Sequence, residues 1–130
     1  MSILNLTQHQ ATPDQLEAGV VDLPEKEQQQ LQSWLTFTHI VPEASIVARA
    51  QAIAHLAHSM GYNQVMIGGA LWLMAPLTQA LYQRGITPLF AFSTRETTEM
   101  AQADGSVIKS MRFKHDGFIV APRLHSNDMI

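Results

Sequence analysis

The chain contains no cysteine. That excludes a disulfide framework, thiolate-bound zinc, a cysteine-held iron–sulfur cluster and a thiol nucleophile. Charge is scarce too: charged residues make up 15%, and 11 acids against 8 bases give a net charge of −3 with the histidines neutral. Such a balance lacks the basic surface that supplies most of the affinity for duplex nucleic acid, so no bulk duplex binding is expected. Long apolar runs are missing. The longest, 70–77, contains Pro76 and falls far short of a bilayer span. The first residues lack a basic stretch followed by an apolar one. A cytoplasmic protein without a membrane partner is the expectation. No nucleophile elbow, Walker loop, HExxH pair or matched catalytic carboxylates occur. No cofactor is implied and no metal site is expected.

What remains is 130 residues, 46% of them hydrophobic, which suits one packed domain. The expected division is a single α/β domain over 1–123 and a fraying tail over 124–130. A strand is predicted at 2–6. Thr12-Pro13-Asp14-Gln15 then reads as a capping box with proline at the first helical position, and Gly19 as the end of that short helix. A brief extended piece follows at 20–23, and Pro24 opens a polar helix over 25–35. Its apolar residues, Leu31, Trp34 and Leu35, form one narrow stripe, so it lies on the outside. Ile46, Ala50, Ile53, Ala57 and Met60 recur at helical spacing up to Gly61. His55 and His58 lie three apart on that helix, a spacing that suits a metal, but the apolar stripe turns both outward. Next come a strand at 64–67, a glycine turn at 68–70 and a helix over 71–84, apolar nearly all round. That helix should pack on a sheet and on something else, another helix or a second subunit. A strand at 87–92 with a continuous apolar run reads as buried on both faces.

Beyond Phe92 the sequence turns polar. We read 93–103 as a loop with a helical turn, 104–106 as a tight turn, and 107–113 and 118–122 as two strands joined at Lys114-His115-Asp116-Gly117. The alternation of strands and helices predicts a small Rossmann-like three-layer domain, with a mostly parallel sheet and a C-terminal antiparallel β-hairpin. The Gly-x-Gly-x-x-Gly turn of dinucleotide folds is missing after the first strand.

In open α/β sheets ligands bind outside the carboxyl ends of the parallel strands. The residues just after each strand are therefore the site candidates. Gly68 and Gly69 let backbone approach a ligand, and the free N–H groups of the helix they open attract an anion; a tight strand–helix turn alone would explain them equally. Thr7 would hydrogen-bond a ligand. His9 is the candidate for catalytic acid–base work; the alternative is a histidine that merely satisfies loop carbonyls. Ser93 would add a hydroxyl and Arg95 a guanidinium suited to phosphate or carboxylate, unless Arg95 only pairs with Glu99 on a helix. Charge adds a lean: residues 1–61 hold two bases and six acids, residues 62–130 six bases and five acids. Lys109 and Lys114 on the hairpin read as edge lysines that discourage aggregation.

Four segments carry a family resemblance: Asn5-Leu6-Thr7-Gln8-His9 with Ala11-Thr12-Pro13; Met66-Ile67-Gly68-Gly69-Ala70; Pro88-Leu89-Phe90-Ala91-Phe92-Ser93 with Arg95-Glu96 and Glu99; and Asp104-Gly105-Ser106-Val107 with Phe113, His115 and Gly117-Phe118. Together, over residues 3–118, they resemble an uncharacterised family of small bacterial proteins met on mobile or accessory DNA. The layout is more loosely similar to the Rossmann-type sensors and ring nucleases of CRISPR systems. That similarity implies a cyclic oligoadenylate at a dimer interface, lined by Thr7, His9, Gly68, Gly69, Ser93 and Arg95.

The functional expectation is a protein that binds a nucleotide or other phosphate-bearing ligand, with hydrolysis as the chemistry His9 would serve. The apolar helix over 71–81 points to a homodimer. Two other classes stay open. One is an accessory interaction module without a small ligand; the other is an enzyme acting on a small carboxylate or sugar. The ligand readings require Thr7, His9, Gly68 and Arg95 to converge in one concavity, whereas the interaction reading requires a large apolar patch elsewhere.

Overall fold

The computed structural model describes residues 2–124. The elements run β1 (Ile3–Leu6), α1 (Pro13–Glu17), β2 (Val20–Val21), α2 (Glu25–Leu35), α3 (Glu43–Ser59), β3 (Gln64–Ile67), α4 (Leu71–Gln83), β4 (Thr87–Ala101) and β5 (Val107–Val120). They build one five-stranded sheet in the order β2-β1-β3-β4-β5. The β2, β1, β3 and β4 neighbours are parallel, and β4 and β5 antiparallel. The expected mixed α/β sheet, mostly parallel with a C-terminal hairpin, is what forms. Of the expected tail, 125–130 lie outside the described residues.

Alternation along the short strands divides the apolar residues between two faces. Leu4, Leu6, Val65 and Ile67 point to one face, against Leu31 and Leu35 of α2, Ile53 and Ala57 of α3, and Leu73, Leu77 and Leu81 of α4. Fully burying one such leucine stabilises by about 2 kcal/mol, so this helical face holds most of the core. The other face buries Ile3, Val20, Met66 and Leu89, with Ala11 and Phe118 beside them. Its one helix is α1, none of whose residues is buried. The helices thus cover the two faces unequally. The breadth of apolar surface on α4 is used by the sheet on one side and α3 on another.

The local signals at helix ends are as expected. Thr12 accepts from the Gln15 amide while Gln15 Oε1 accepts from the Thr12 amide, a complete capping box. Gly19 follows α1 at φ 100°, a conformation that costs an L side chain about 1 kcal/mol or more. Arg49 on α3 caps the far end of α2, donating to the carbonyls of Trp34 and Thr36 at 3.3 and 2.8 Å. His55 and His58 are exposed.

Three expectations fail beyond Phe90. The polar stretch 93–103 is neither loop nor helix; it continues β4 to Ala101. The two short strands are one, because Lys114-His115-Asp116-Gly117 is not a turn. Phe92 pairs with Gly117 and Ser93 with His115, so Asp116 is the extra residue of a β-bulge. Nor is β4 buried on both faces throughout: Pro88 and Leu89 are, whereas Ala91 and Phe92 are exposed. The expected turn does form, where Asp104 Oδ1 accepts from the amide and hydroxyl of Ser106 at 2.9 and 2.6 Å. The result is a two-stranded ribbon, 93–101 against 107–115, that runs about 30 Å past the end of the parallel strands.

Candidate functional site

From β1 the chain moves outward to β2 through α1 on one face. From β3 it moves outward to β4 through α4 on the other face. The order of strands therefore reverses between β1 and β3. This reversal parts the loops at the carboxyl ends of the two strands and leaves a crevice. A cleft of about 530 Å³ opens there. Thr7, Gln8, His9 and Gln10 form one wall, Gly68 and Gly69 the other, and Phe90 and Ala91 of β4 extend it.

The first wall is held by a buried polar knot. Asn5, 4% exposed on β1, uses its whole amide. Nδ2 donates to the His9 carbonyl at 2.7 Å and to Asp22 Oδ1 at 2.8 Å. Oδ1 accepts from the Thr7 amide at 2.9 Å and the Thr7 hydroxyl at 2.7 Å. Asp22, just after β2, also accepts from the Ala11 amide at 3.0 Å. From α2, Gln32 donates to the Gln8 carbonyl at 2.9 Å. The backbone of 7–11 is thus fixed on both sides, while the His9 side chain stays exposed at the cleft.

The second wall is backbone. Gly69 sits at φ 139°, where a side chain is strained, so the turn needs glycine there. Gly68 carries no such requirement. A Cβ on it would stand 3.6 Å from the Thr7 methyl, an ordinary contact inside the cleft. No side chain caps α4, whose N-cap is Ala70. Its first-turn amides lie next to Gly69 and carry the positive end of the helix dipole.

Four of the six sequence candidates, Thr7, His9, Gly68 and Gly69, line this one cleft. Ser93 and Arg95 do not. Both stand on the ribbon, exposed, with Arg95 5.5 Å above the Phe113 ring. Arg95 and Glu99 are not a helix pair either; Glu99 faces Lys109 at 3.7 Å. Sequence reading missed Asn5 and Asp22 as the supports of the loop. An asparagine inside an apolar strand was the signal for the first; the second depends on a contact between separate strands. Thr12 and Gln15 also line the cleft, although the capping box already engages them.

No lysine, arginine, aspartate or glutamate belongs to the lining. The cleft offers hydroxyl, amide, imidazole and backbone N–H groups, so it suits a ligand of low charge. Among the described residues no cluster of three or more His, Asp or Glu could hold a metal ion, and no helix is long and apolar enough to cross a membrane.

Neither a curated protein nor a solved structure matches the chain. A family model does, over residues 1–119, which include both walls of the cleft and the ribbon: the chain belongs to the uncharacterized protein MJ1673 family.

Proposed function

We propose that the cleft binds a nucleotide or other phosphate-bearing ligand of low charge. The supporting observation is the meeting of Thr7, His9, Gly68 and Gly69 at the sheet's switch point, beside the uncapped start of α4. The Gly68–Gly69 backbone and the first amides of α4 contact the phosphate, and Thr7 supplies a hydroxyl. With no cation in the lining, a phosphodiester carrying one charge fits better than a triphosphate. His9 serves cleavage of such a diester by its own ribose, an internal transesterification. The imidazole takes the proton of the 2′-hydroxyl, that oxygen bonds to phosphorus, and the 5′-oxygen leaves and receives a proton, giving a 2′,3′-cyclic phosphate. A bacterial, cytoplasmic, mobile-element setting and a homodimer belong to the same proposal.

The test is a thermal-shift screen against nucleotides, cyclic oligonucleotides, sugar phosphates and small carboxylates. A ligand at 100 times its Kd stabilises by about 2.7 kcal/mol, several degrees in Tm at this size. The expected result is a shift with a phosphodiester that Gly68→Asp removes, since that carboxylate enters the cleft without straining the turn. No shift from any phosphate compound, or a shift that survives Gly68→Asp, refutes the reading. A second reading, an interaction module, is favoured by the exposure of Ile40, Leu71 and Trp72 near the start of α4; capture of a protein partner that Trp72→Ala abolishes would support it.

A further inference from the structure

The ribbon is the least explained part of the molecule. An isolated two-stranded hairpin is marginal in water and needs a third strand or a packed face. Yet no described helix lies along its outer part, and β3, the other neighbour of β4, ends its pairing at Phe90. Its two faces differ. Phe113 opposite Arg95, Met111 opposite Thr97, Lys109 opposite Glu99 and Val107 opposite Ala101 share the face that also carries Phe118. Phe113 is 72% exposed, Met111 59% and Val107 53%. The reverse face is polar along most of its length, where Glu96 bonds Arg112 at 3.0 Å and reaches Lys114 at 3.7 Å.

We propose that the apolar ribbon face is a two-fold interface with a second copy of this chain. The charges choose the occupant. Take a two-fold axis through the Thr97–Met111 row, with the two ribbons stacked antiparallel on this face. Arg95 then lies opposite the partner's Glu99, Phe113 opposite the partner's Lys109, and Met111 opposite the partner's Met111. Among the described residues Arg95 has no carboxylate within ion-pair distance, and the two-fold supplies one at each end. One surface meets itself with Arg95 and Glu99 paired and Met111 against its own copy, as an isologous dimer requires. This places the dimer contact on the ribbon, not on α4, and it does not depend on the ligand reading.

The test uses the full chain in sedimentation equilibrium at micromolar to millimolar concentrations. Wild type is expected to be a dimer. Arg95→Glu, exposed and harmless to the fold, is expected to weaken dimerisation about tenfold, or ~1.4 kcal/mol. Arg95→Glu with Glu99→Arg should return it to near the wild-type value. The absence of cysteine permits a second measurement: Met111→Cys, beside the axis, should be joined to its copy by a bis-maleimide linker that spans the ~10 Å between stacked sheets, and Thr98→Cys on the reverse face should not. A monomer at every concentration, a double variant no tighter than the single one, or equal cross-linking from both cysteines each overturns the proposal.

Discussion

Replacing Asn5 by alanine removes the centre of the knot beneath the cleft, and its cost can be worked from the structure. Four hydrogen bonds disappear, but their partners are not equally stranded. Asp22 Oδ1 keeps the Ala11 amide. The Thr7 hydroxyl, 3.1 Å from the His9 carbonyl, can turn its one proton to that oxygen. Only the Thr7 amide loses its single partner. One orphaned, part-buried donor costs about 1–3 kcal/mol, and the loss of the other bonds adds about 1 kcal/mol or more. The sum is about 3 kcal/mol, roughly a fifth to three fifths of the stability of a typical domain. Urea denaturation followed by circular dichroism should show the midpoint fall at unchanged m-value. Asp22→Asn retains an acceptor at the same place and should cost about 1 kcal/mol or less. Hydrogen exchange adds a local readout, since the Thr7 amide should lose its protection in Asn5→Ala. A loss below about 1 kcal/mol, or a Thr7 amide as protected as before, would refute the claim that Asn5 holds the loop.

Other consequences follow from single contacts. Tyr82 on α4 donates to the Ala121 carbonyl at 2.6 Å, tying the end of β5 to the helix, so Tyr82→Phe should cost about 1 kcal/mol in chemical denaturation. The Arg112 hydrogen bond, with Lys114 nearby, holds the Glu96 carboxyl below its ordinary value of 4.5; a carboxyl titration by NMR should show this, and Arg112→Ala should raise it. A depressed carboxyl favours the folded ribbon above pH 4.5, and that contribution disappears as pH falls through the folded-state value. At the turn, the Ser106 hydroxyl and then its amide hold Asp104 below 3.8. Ser106→Ala should move that titration upward, by removing the hydroxyl bond alone, while leaving the core unfolding transition in place.

The sequence by itself determined the elements whose signals are local. The capping box at Thr12, the helical spacing from Ile46 to Ala57 and the short apolar strands each encode their own structure, because cap geometry and hydrophobic period need no distant partner. The alternation of those elements then constrained the sheet to be mostly parallel and put the candidate site at strand ends, where Thr7, His9, Gly68 and Gly69 do meet. Tertiary structure alone decided the rest. The Ser93–Ala101 stretch is a strand because β5 pairs with it; without a core on either face, no alternating pattern announced it. Asp116-Gly117 reads as a hairpin turn in sequence, yet the ladder absorbs it as a bulge, since the true reversal lies at Asp104–Ser106. Asn5 and Asp22 are joined across two parallel strands, and register between strands is a property of the whole sheet. For the same reason Arg95, which follows its strand in sequence as closely as His9 follows β1, is carried along the ribbon and out of the cleft lining.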